Sequence, residues 1–137
     1  MFMTRLHHEV RMTDSAKNKD RLTRLSAICL ALAGSTREDQ GSHATFRAGK
    51  KVFAYYLNNH HGDGIVAVCC KTLPGDNERL IASNPGKFYM PAYVGPRGWV
   101  GLRLDRATVA WSEVKELVQG SYMQTAPKRL LKLLEDF

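Results

Sequence analysis

Ala44-Thr45-Phe46-Arg47-Ala48-Gly49-Lys50-Lys51-Val52-Phe53-Ala54-Tyr55-Tyr56-Leu57 is the stretch that decides the fold. Residues 44–48 alternate: Ala44 and Phe46 on one side, Thr45 and Arg47 on the other, the period of a strand. Gly49-Lys50 reads as a turn. Residues 51–57 are rich in β-branched and aromatic residues, a second strand. The run Asn58-Asn59-His60-His61-Gly62-Asp63-Gly64 is a hairpin loop by composition. Residues 65–71 follow as a third strand, so apolar that it belongs in the centre of a sheet.

The pattern changes on either side of this meander. Upstream, Leu22, Leu25, Ile28, Cys29 and Leu32 recur at steps of three and four, predicting a helix over residues 14–33 that Gly34 stops. Residues 35–42 are polar and read as a loop. Downstream, Pro74-Gly75 breaks the chain, and Asp76 reads as the cap of a short helix over 77–83. Residues 88–93 and 99–104 form a second hairpin across Gly95-Pro96-Arg97-Gly98. Ser112 is placed to cap a helix over 113–122, with Glu113 and Glu116 near its positive end. Pro127 suits the first position of a last helix to about residue 135, packed through Leu130, Leu131, Leu133, Leu134 and Phe137. The fold class is therefore α+β, an antiparallel sheet of about five strands with helices on one face. Such a sheet can leave its other face to water. Residues 1–13 show no period and read as a tail, leaving 14–137 as a single domain.

The chain has 137 residues and a net charge of +7. A positive field of that size attracts phosphate polymers. The charge is unevenly spread: residues 42–111 hold nine Lys or Arg against four Asp or Glu, whereas residues 112–137 balance. No apolar run approaches the length that crosses a bilayer, and residues 1–20 lack the apolar stretch of a secretory signal. The expectation is a cytoplasmic protein without a membrane partner. Cys69 and Cys70 are adjacent in a strand, so they point to opposite faces and cannot share a metal. With Cys29 they are expected to be buried free thiols.

No catalytic constellation emerges. His60, His61 and Asp63 share one short loop without metal-ligand spacing. No carboxylate pair sits in an apolar setting, and no phosphate-cradling glycine motif is present. The expectation is a non-enzymatic binding module without a cofactor or metal. Parity sends Val100, Leu102 and Leu104 to the core and Trp99, Gly101 and Arg103 to the opposite face, where Thr45, Arg47, Lys51, Tyr55 and Lys71 are possible neighbours. Cations interleaved with aromatics suit a phosphate backbone and stacked bases. The predicted nucleic-acid site is Arg47, Lys51, Lys71, Arg97 and Arg103, with Trp99 stacking. Loops 58–64 and 95–98 would project from it as wings.

The runs Phe46-Arg47-Ala48-Gly49-Lys50-Lys51-Val52-Phe53-Ala54 and Val66-Ala67-Val68-Cys69-Cys70-Lys71, the stretch 93–104 around Gly98-Trp99-Val100, and Ser121-Tyr122 together resemble the YjbR/MmcQ-like family. Their order over about residues 14–130 carries the resemblance. It implies a frataxin-like fold, described as a double wing of DNA-binding type, and supplies no catalytic residues. Frataxin kinship also raises iron handling through an acidic first helix. Here that helix carries Lys17, Lys19, Arg21 and Arg24 against Asp14 and Asp20, which repels a cation. What survives of that kinship is a second reading: a protein partner docked on the open sheet face around Trp99.

Overall fold

The computed structural model describes residues 13–135. Residues 1–12, most of the expected tail, and Phe137, expected to pack, lie outside the described residues. Helix α1 spans Asp14–Leu30, and Thr13 caps it by accepting a 3.1 Å hydrogen bond from Ala16 N–H. Thr13 thus belongs to the domain and not to the tail. The helix ends earlier than the apolar period, and Gly34, at φ +66°, turns the chain into the sheet. A side chain there would run into the Leu130 methyls.

Six strands form one antiparallel sheet: β1 Ser35–Gln40, β2 His43–Ala48, β3 Lys51–Asn58, β4 Val66–Lys71, β5 Phe88–Tyr89 and β6 Trp99–Arg103. Their order is β1-β2-β3-β4-β6-β5. Strand β1 corrects the expected polar loop at 35–42. It pairs with β2 from Ser35↔Ala48 to Gln40↔His43. Its side chains are exposed from Thr36 onward, so no apolar alternation marks it. A charged edge strand of this kind resists pairing with other chains. Strand β5 is shorter than expected, and residues 90–98 leave the sheet as a loop.

Three more helices are α2 Asp76–Ser83, α3 Trp111–Thr125 and α4 Lys128–Glu135. Their starts differ from expectation. The cap of α2 is Gly75, at φ +83°, with Asp76 already inside the helix. Helix α3 begins at Trp111, with Ala110 and not Ser112 at its cap. Pro127 immediately precedes α4, accepting from Leu130 N–H and Leu131 N–H. The core lies between α1 and α3 and the inner sheet face. It joins Leu25 and Cys29 to Phe46, Tyr56, Val68, Val100, Leu102, Val114, Val118 and Tyr122. Cys69 and Cys70 are also fully buried, and burial raises the Cys29 and Cys69 thiols to about 12.

The register of β2 and β3 slips between Phe46 and Arg47, a bulge that lets both Phe53 and Ala54 bury. Phe53 meets Tyr122 edge to face, ring centroids 5.4 Å apart. Where the β3–β4 ladder stops, the buried Ser121 hydroxyl takes over. It donates to Phe53 C=O at 2.6 Å and accepts from Lys71 N–H at 3.0 Å. Tyr122 O–H donates to Ala33 C=O at 2.7 Å, tying α3 to the end of α1. The pair Ser121-Tyr122 therefore closes the backbone of the fold.

Candidate nucleic-acid interface

Antiparallel order gathers particular strand ends. Lys71 ends β4 opposite Trp99, which begins β6, and Arg97 lies two residues before it. Lys51 begins the adjacent β3. Lys51, Lys71 and Arg97 thus share one end of the sheet. Lys51 and Arg97 are exposed and Lys71 is half-buried. Among the described residues, none of the three has a carboxylate within salt-bridge distance. The same end carries cations that the strand pattern did not select. Lys50 occupies the β2–β3 turn, and the Arg129 guanidinium of α4 lies beside Gly49. They come from a turn and a distant helix, so topology alone reveals their convergence.

An open groove of about 700 Å³ runs between Lys71, Thr72, Arg97, Gln124 and the start of α2. Its walls are held by direct bonds. Thr72 N–H and Oγ1 both reach Gly98 C=O at 2.8 Å. Gln124 Nε2 donates to Lys71 C=O at 3.2 Å. The buried Asn77 amide donates to Gly95 C=O at 3.0 Å and Trp99 C=O at 3.1 Å. Asn77 thereby fixes the loop that presents Arg97. Glu78 stands on the α2 wall of this groove, and Asp76, Glu113 and Glu116 line a neighbouring depression that Lys71 also borders.

The other predicted residues fall elsewhere. Arg103 lies at the opposite end of β6, where its guanidinium grips Asp105 through two 2.9 Å bonds. That hydrogen bonding raises the Arg103 pKa. Burial pushes the Asp105 carboxyl upward, but Arg103 and the Val66 N–H together bring it below its ordinary value. Arg47 faces Glu38 across the β1–β2 pair at 3.5 Å. Trp99 is only 8% exposed and packs on Tyr55, centroids 5.4 Å apart. It corrects the expectation of an open stacking ring, and it is no free anchor for a protein partner.

The loops are not separate wings. The loop after β3 contains a short 3₁₀ turn, His60–Gly62, and loop 90–98 contains another, Gly95–Arg97. The two meet where His61 and Tyr93 touch, centroids 5.7 Å apart. Behind His61 lies His60, tilted at 52° with centroids 3.9 Å apart, and His43 meets His60 edge to face at 5.3 Å. Burial, then the neighbouring His61 and His43, lowers the His60 pKa, with Asp63 opposing. Among the described residues, no group of three His, Cys, Asp or Glu side chains is placed to hold a metal ion. No described helix is long and apolar enough to cross a membrane.

Comparisons agree with this architecture. The YjbR family model matches residues 30–124. The crystal structure of Deinococcus radiodurans protein DR2400, a DUF419 domain, is similar with a TM-score of 0.60 and 23% identity. The likeness covers 73% of this chain and 74% of that one. No curated protein matches the chain.

Proposed function

The chain belongs to the YjbR family, and from that premise we propose that it is a nucleic-acid-binding module without a catalytic step, reading phosphates at the cationic end of its sheet. The observation that carries the proposal is that Lys51, Lys71 and Arg97 share one end of the sheet with no carboxylate in salt-bridge distance among the described residues. Lys50 and Arg129 extend the same surface. Unneutralised cations on neighbouring strand ends suit a polyanion. Each phosphate they neutralise releases counterions, which drives binding at low salt. Arg103 and Arg47 are spent on Asp105 and Glu38 and contribute little. A protein partner gripping Trp99 is the weaker reading, since that ring is buried against Tyr55.

Fluorescence anisotropy with labelled DNA at low ionic strength tests the proposal. Binding is expected, weakening steeply as salt is added. Absence of binding to single- and double-stranded DNA at low salt sinks it.

A further inference from the structure

Tyr93 is a large aromatic residue that folding leaves mostly in solvent. It is 79% exposed, and its backbone sits at φ +67°, a conformation that side chains other than glycine and asparagine rarely adopt. The loop around it is rigid. Gly95 N–H donates to Pro91 C=O at 3.0 Å, Arg97 N–H to Val94 C=O at 2.9 Å, and Gly98 N–H to Gly95 C=O at 3.0 Å. Asn77 clamps the same turn from below. A glycine at position 93 would meet this geometry without strain. Strained, exposed side chains that the surrounding structure enforces cluster at binding sites. The ring that Tyr93 touches, His61, is also exposed and sits at φ +55°, a region histidine enters more readily than tyrosine. Two loops from separate hairpins thus each present an outward aromatic ring, and the two rings meet edge to face.

We propose that the exposed Tyr93 ring, set at 64° against His61, is a stacking site for unpaired bases, making the chain a binder of single-stranded nucleic acid. Arg97, four residues on in the same loop, is the cation that joins this site to the phosphate groove, which it lines with Lys71. Stacking tolerates any base, because every base has a π face, and it requires bases whose faces are free. In a duplex those faces are covered. The inference rests on the phosphate-binding reading above and adds the bases to it.

The test is anisotropy at low salt with four labelled probes of about 12 nucleotides: oligothymidylate, oligouridylate, an abasic strand with the same phosphates, and a duplex. Both base-bearing single strands are expected to bind about tenfold tighter than the abasic strand. A preference between them identifies the sugar recognised and still supports stacking. Tyr93→Ala and Tyr93→Gly are expected to reduce the base-bearing strands to the abasic level, and Tyr93→Trp to preserve the difference. Tyr93→Gly is expected to melt no lower than the parent protein, which separates lost stacking from lost folding. If the abasic strand or the duplex binds as tightly as oligothymidylate, or if Tyr93→Ala changes nothing, the stacking site is overturned while phosphate binding stands. If no probe binds, both readings fall.

Discussion

Arg97 lies just before one five-residue strand and Arg103 ends it, and their surroundings are opposite. At the far end of β6, Arg103 faces Asp105, and Val66 N–H donates to the same carboxylate. There the guanidinium and the carboxylate cancel each other. At the near end, Arg97 and Lys71 flank a groove with no carboxylate in salt-bridge distance among the described residues. Charge counted along the chain treats the two arginines alike. What separates them is the partner: a paired guanidinium holds the fold, and an unpaired one is available to a ligand.

The sharpest break would come from reversing the unpaired end. Lys71→Glu with Arg97→Glu is expected to weaken single-stranded DNA binding on the order of 100-fold at low salt, by removing two phosphate contacts and adding repulsion. Anisotropy reads this directly, and circular dichroism checks that the fold persists. Next, Ser121→Ala strips the bridge between β3 and β4, leaving Phe53 C=O and Lys71 N–H without that partner. A loss of about 2 kcal/mol in urea unfolding is expected, the scale for orphaned buried groups. A change under a few tenths would remove Ser121 from the account. Arg103→Ala should leave DNA affinity unchanged and lower stability by about 1 kcal/mol, since the pair is partly exposed. Equal affinity loss from Arg103→Ala and Arg97→Ala would erase the contrast between the ends.

The smallest effect concerns pH. The His60 pKa is lower in the folded state than its ordinary 6.5. The unfolded chain therefore binds this proton more readily, so the associated stability is complete above pH 6.5 and declines as pH falls below it. The amides of loop 58–64 should lose protection on acidification, measured as exchange relative to the intrinsic rate at each pH, and His60→Gln should flatten that dependence. His43 reports on the same loop, because its Nδ1 accepts from Asn58 N–H at 3.1 Å.

The strands that carry the core were readable because one of their faces is apolar: Phe46, Tyr56, Val68, Val100 and Leu102 alternate with outward residues. Strand β1 was hidden because an exposed edge has no apolar period to show. The bulge that buries both Phe53 and Ala54 also leaves no mark in a pattern that assumes strict alternation. In the candidate site, Lys51 and Lys71 were legible as residues of one sheet face and Arg97 as a loop residue, whereas Arg129 depends on where α4 docks. The pairing of Arg103 did have a local signal. Arg-x-Asp on a strand puts both side chains on one face, and Arg37–Asp39 on β1 does the same, with bonds of 2.6 and 2.9 Å. No acid stands two residues from Arg97 or Lys71. Trp99 was misread because parity gives the face of a residue and not what covers it.

The most direct measurement is the salt slope of oligothymidylate binding, taken for the parent protein, Lys71→Ala with Arg97→Ala, and Arg103→Ala. Losing two phosphate contacts should make the slope of log K against log salt shallower by about 1.4, and Arg103→Ala should leave it as it was. A slope unmoved by the Lys71 and Arg97 changes, or moved equally by Arg103→Ala, contradicts the assignment of the binding surface to the unpaired end.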